Sequence, residues 1–263
     1  MKFIQIFLLH SQHVLQERAR AFVWFLVPLI ESGILLLFWI GAIHTNSIQG
    51  LSVSTITTYY LFQVILSVIL TSHIEEDVAR EDIREGKLSQ YLIRPISYFW
   101  IKFFEEVPYR LLQGFYGLLA VFILSLFIGK FYESVSDPMS VFLSFVIATT
   151  AYFLFFTYKM IIGILAFWMV DIGGFFQFQE MILALFAGYM IPLFLFPPAL
   201  QNFSYLLPFP YMIYFPIISF QGKLVFSELI HVFLMQLFWL GIFLGLYIFL
   251  WKKGIRKYSA IGQ

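Results

Sequence analysis

The stretch AFVWFLVPLIESGILLLFWIGAI, residues 21–43, decides the class of fold. Glu31 is its single charged side chain. A hydrocarbon core of about 30 Å takes roughly 20 apolar residues in a helix. Only a helix or a closed barrel satisfies every backbone N–H and C=O there. The stretch therefore reads as a membrane-spanning helix. The rest of the chain agrees: 61% of its residues are hydrophobic and 12% charged, against about 25% charged in a soluble domain. Mean hydropathy is +0.87. A net charge of +1 provides no global field to steer nucleic acid. The lack of cysteine excludes disulfides, thiolate catalysis and Cys-ligated metal.

Working outward, five more segments have the length and apolarity of spans: residues 53–72, 111–129, 140–170, 176–195 and 226–250. Alternating short segments of a transmembrane barrel are not seen. The expected fold is a single all-α membrane domain over residues 1–263 with six transmembrane helices. Residues 1–20 read as an amphipathic interfacial helix. Their apolar run, residues 3–9, is short and lacks a small-residue cleavage site, so this segment is expected to be kept. Thirteen of the sixteen Lys and Arg residues fall at the termini or between spans two and three. That asymmetry places both termini and the segment between those spans in the cytoplasm of a cell inner or plasma membrane.

Residues 196–223 lie between the last two spans. The stretch 190–223 carries six prolines, from Pro192 to Pro216. It is too interrupted for a span and too apolar for an ordinary loop, so short broken helices dipping in from outside are expected. Such backbone must be covered by protein or line a cavity.

The charged block EEDVAREDIREGKLSQYLIRPIS, residues 75–97, holds ten of the thirty-one charged residues. Glu76–Arg80, Asp77–Arg80 and Glu81–Arg84 are spaced for helical ion pairs. Gly86 suits a left-handed helix end. Leu88, Tyr91 and Leu92 then share one face of a short helix that Pro95 stops. Ser97 can cap a lead-in helix from Tyr98, with a Glu106–Arg110 pair and a kink at Pro108. A short helix with an apolar face and a polar rim is the shape of a docking knob.

The segment EDIREGKLSQYLIRPISYFW resembles the loop between spans two and three of ABC-2-type permeases. The matching residues are Glu81, Asp82, Arg84, Glu85, Gly86, Lys87, Leu88, Tyr91, Leu92, Pro95, Ile96 and Ser97, with Arg94 among them. Lys87 stands where many relatives have Thr. The segment after span five and the tail WKKGIRKYSAIGQ are also similar to that family. The closest resemblance is to six-span permeases encoded in pairs beside one ATPase. It implies an exporter subunit whose substrate pathway forms as a dimer with a second permease chain, homologous or identical. Cytoplasmic ABC ATPase subunits would dock under residues 74–97 and carry the ATP and Mg. No Gly-Lys pair here continues into the Ser or Thr of a phosphate loop, so the chain itself is expected to hold no cofactor and to be no enzyme.

Two charges lie deep in predicted spans. Glu31 and Lys159 are each about 15 Å from a cytoplasmic end at 1.5 Å per residue, so they are expected to pair. His10, His13 and Glu17 share a helix face but offer no fourth ligand, and no metal site is expected. Two other classes remain: a membrane-embedded lipid-modifying enzyme, which needs clustered His, Asp or Glu at one membrane face, and an ion-coupled secondary transporter, which needs internal repeats.

Overall fold

The computed structural model describes residues 2–45, 51–128, 137–169 and 171–258. Residues 46–50, between the first two predicted spans, residues 129–136, which include Lys130 and lie between the third and fourth, and the last five residues of the tail lie outside these. Among the described residues every regular element is helical and none is a strand. Helix α1 (Lys2–Gln16) leads directly into α2 (Arg18–His44). Then come α3 (Val53–Leu70), a short α4 (Ile74–Glu76) that widens into a π-helix over Asp77–Arg84, and α5 (Leu88–Leu92). After these follow α6 (Tyr98–Ile128), α7 (Pro138–Ile164), α8 (Gly173–Phe186), α9 (Pro198–Tyr205), α10 (Tyr214–Phe220) and α11 (Phe226–Gly254).

Among the described residues five helical segments are long and apolar enough to cross a membrane: those of α2, α3 with its continuation, α6, α7 and α11. The predicted fifth span is the exception. It stops at Phe186, after 14 residues, or about 21 Å of helix. Gly188 then turns the chain at φ +84°, and a Cβ there would stand 2.7 Å from the Tyr59 hydroxyl. Pro192, Pro197 and Pro198 keep the following segment from recovering as one helix.

The broken backbone is satisfied by α3. Tyr59 donates to the Gly188 carbonyl at 2.8 Å, Gln63 to that of Tyr189 at 3.1 Å and Tyr60 to that of Met190 at 3.1 Å. Three polar side chains on an apolar helix thus meet backbone groups that have left their helix. This is why α3 is buried along most of its length while α2, α6 and α11 keep broad apolar faces outward. Helices α7 and α11 form the other wall of the core. Gln236 joins them by donating to the carbonyls of Ile147 (3.1 Å) and Tyr211 (2.9 Å). Within α7, the hydroxyls of Ser144, Thr149, Thr150 and Thr157 bond to carbonyls one turn back, which satisfies these four within an apolar helix. Gly117 of α6 lets that helix approach α3, since a Cβ would stand 3.4 Å from the Ile65 Cα.

Candidate docking site and the charges behind it

The charged block folds at the far end of α3. The chain leaves helix at Thr71, whose ψ of 119° is extended, and re-enters it at Ile74. From Asp77 to Arg84 the helix is π-type, so its side chains do not keep the spacing of an α-helix. Glu76–Arg80 forms as expected, at 3.8 Å. Glu81 instead takes Lys87, at 2.8 Å. That hydrogen bond holds the exposed Lys87 ammonium above its ordinary pKa. Arg84 reaches away to donate to the Met169 carbonyl at 3.0 Å. Gly86 has the left-handed conformation the sequence called for, φ +82°.

The knob differs from expectation on one face. Leu88 is fully buried and Tyr91 half-buried. The apolar residues left outside are Leu92, 44% exposed, and Ile93, 85% exposed, flanked by exposed Arg94 and Pro95. Leu88 and Tyr91 are therefore the root of α5 and Leu92–Ile93 its tip. Burial raises the pKa of the Tyr91 phenol. Its ring lies under the Arg94 guanidinium at 5.1 Å and the Lys102 ammonium at 4.7 Å.

Three groups of buried charge hold the block. In the first, Lys102 of α6 pairs with Asp82 at 2.6 Å, and Asp82 also accepts from Tyr98 at 2.5 Å. Glu105 lies 3.4 Å from Lys102 and 3.4 Å from His10 of α1, so the group runs from the π-helix to the amino-terminal helix. In the second, Arg110 pairs with Glu106 at 2.6 Å, as the i,i+4 spacing anticipated, and Glu106 accepts from Ser72 at 3.1 Å.

The third group corrects the intramembrane pairing. Lys159 is fully buried and lies 2.6 Å from Glu75 and 2.5 Å from Glu180. Among the described residues no ion pair joins Lys159 to Glu31. The reason is position: the break after α3 brings Glu75 beside α7, and a turn at Asp171, which accepts from the Gly173 N–H at 2.9 Å, folds α8 back so that Glu180 comes level with Lys159. Gly163 permits this fit, because a Cβ there would meet Val78 at 2.8 Å and the Glu75 Cα at 3.1 Å. One nitrogen of His73 and oxygens of Glu75 and Glu180 gather within 4.8 Å, but Lys159 already binds both carboxylates. His10 and His13 face different carboxylates, Glu105 and Glu17.

The sequence model for ABC-2 family transporter proteins matches residues 17–262. The chain belongs to the ABC-2 transporter family. No curated protein and no solved structure matches it. The match to the ABC-2 family takes in the charged block, the broken segment and the tail, and it leaves α1 ahead of its first residue. The tail of this ABC-2 protein is also joined to the block: Tyr258 donates to the Gly86 carbonyl at 2.9 Å and its hydroxyl lies 3.0 Å from that of Ser89.

Sequence reasoning missed Ile93, Glu75, Tyr98, Lys102 and Tyr258 as parts of this site. For Lys159 a signal existed. A lone Lys and a lone Glu, Glu180, stand at comparable distances on either side of the Asp171 turn.

Proposed function

We propose that this multi-pass membrane protein is the permease subunit of an ATP-driven exporter and that residues 81–95 are where a separate cytoplasmic ABC ATPase docks. Family membership supports a transporter component in place of an enzyme. The observation that carries the docking reading is the Leu92–Ile93 tip. It is apolar and exposed, at the end of a five-residue helix whose Leu88 is buried and whose Tyr91 ring lies under Lys102, itself ion-paired with Asp82. A tip so held moves with its anchors, which is what a lever between two proteins requires.

In this reading α8 is a short sixth crossing completed by the broken segment, the termini and the block are cytoplasmic, and residues 196–223 face outward. The orientation rests on the distribution of Lys and Arg. Two such chains, identical or paired with a second permease, enclose the pathway, and the outward apolar faces of α2, α6 and α11 meet lipid or that partner. ATP and Mg belong to the ATPase.

The test is co-purification with ATPases encoded nearby, in detergent, followed by ATP hydrolysis. Ile93→Asp and Leu92→Asp are expected to abolish co-purification while the permease still elutes as a folded species. Retained binding with unchanged hydrolysis would remove the docking site from these residues.

A further inference from the structure

Glu31 stands at the middle of α2, with its side chain exposed. An ionised group at that depth is costly against lipid, and such groups pair or face a water-filled cavity. Among the described residues no Lys, Arg or His forms an ion pair with Glu31, and the charge that acts on it is another carboxylate, that of Glu180. Trp24, Val27, Ile34 and Phe38 fall on the same side of α2, three, four or seven residues away, and all four are exposed. The carboxylate is thus the centre of an open apolar face with an aromatic ring at each end.

This face adjoins the charges gathered around Lys159. The ring centroids of Trp24 and His73 are 6.3 Å apart, and His73 stands among Arg110, Lys159, Glu106 and Glu180. The Tyr189 hydroxyl, bonded to Thr71, lies in the field of both Glu31 and Glu180.

Negative charge and acceptors are in excess here. Lys159 is shared by Glu75 and Glu180, and Arg110 is taken by Glu106. With His73 neutral, the carboxylates of Glu31, Glu75, Glu106 and Glu180 thus share the two cations Lys159 and Arg110. Glu180 uses Oε1 for both Lys159 and the Gln179 Nε2, the latter at 2.7 Å, while its side chain is 47% exposed. Gln179 is 2% exposed, yet its Oε1 has no partner, and neither has Oε2 of Glu75, which is buried to the same degree. Buried acceptors left unpaired cost free energy. The unmet demand of the region is for positive charge and N–H donors.

We infer that the face centred on Glu31 lines the pathway and binds an organic cation, a protonated amine on an apolar or aromatic body, and that such a molecule is the exported substrate. The ammonium sits at Glu31 with Glu180 beside it. The rings of Trp24 and Phe38 take the body and add cation–π attraction. The inference rests on the exporter reading and adds the class of substrate to it.

The test uses the full chain in nanodiscs of zwitterionic lipid and three probes that share one body: pyrenebutylamine, pyrenebutanol and pyrenebutyrate. Energy transfer from tryptophan to pyrene reads binding, with empty nanodiscs subtracted. Saturable binding about tenfold tighter for the amine than for the alcohol, and weakest for the acid, is expected. Glu31→Gln should remove the preference for the amine and leave the alcohol unchanged. Phe38→Ala should weaken the amine and the alcohol alike. The amine should also raise ATP hydrolysis by the permease–ATPase complex, and Glu31→Gln should abolish that rise. Equal binding of the three probes, binding that never saturates, a preference kept by Glu31→Gln, or bound amine without stimulation in a complex that hydrolyses ATP would overturn the inference. So would a Glu31→Gln chain that falls from dimer to monomer while the parent shows no preference, which would assign Glu31 to a second chain. The binding arm needs no ATPase, so failure of the docking reading and failure of this one are separately visible.

Discussion

Lys159 Nζ lies 2.6 Å from Glu75 Oε1, and so ties α7 to the point where the chain leaves α3 for the charged block. Glu180 takes the same ammonium from α8. One buried cation thus joins three segments that are far apart in sequence. Removing one partner from a buried pair leaves uncompensated charge and costs about 3–5 kcal/mol. Lys159→Met is expected to lower the unfolding temperature of the detergent-solubilised chain sharply, read by tryptophan fluorescence. Adding Glu75→Gln to that variant should recover part of the loss.

Glu31 is the contrast. It lies in a span, but its side chain is exposed and forms no ion pair with Lys159. Glu31→Gln removes a charge within a span that Lys159 does not compensate, so it is expected to leave the unfolding temperature unchanged or to raise it. A loss as large as that of Lys159→Met would restore the original pairing.

At Gly188 a side chain meets two obstacles. The left-handed backbone disfavours any Cβ by about 1–2 kcal/mol, and the Tyr59 hydroxyl occupies its place. Gly188→Ala should therefore destabilise the chain more than Tyr59→Phe, which leaves one buried carbonyl without its donor at about 1–3 kcal/mol. Thermal unfolding of both variants gives the order.

Tyr258→Phe removes the hydroxyl that reaches Gly86 and Ser89. Global stability should fall by about 1 kcal/mol. Amide exchange over residues 86–94 should rise much more than elsewhere. Uniform exchange across the chain would show that the tail does not hold the loop.

The membrane class and five of the spans were legible because a run of apolar residues at helical length has few other meanings. The position of the charged block was legible for the opposite reason, as charge where the surroundings exclude it. Gly86 and the Glu106–Arg110 pair followed from local geometry and appear as expected. What failed depended on tertiary placement. A depth argument located Lys159 but could not see that a three-residue break would bring Glu75 beside it. Helical spacing put Leu88 on the docking face, whereas packing turned it into the core and left Ile93 outside. The π-helix over Asp77–Arg84 has no simple composition signal; Glu81 takes Lys87 within the block, and Arg84 reaches beyond it to Met169.

The hydrogen bond from Tyr258 to Gly86 has a practical side. The far end of the chain is a brace for the loop that is expected to meet the ATPase. A purification tag or fluorescent fusion placed after α11 therefore pulls on that loop, and a truncation before Tyr258 releases it. Functional assays of this protein are best made on chains whose last residues are native, with any handle placed elsewhere.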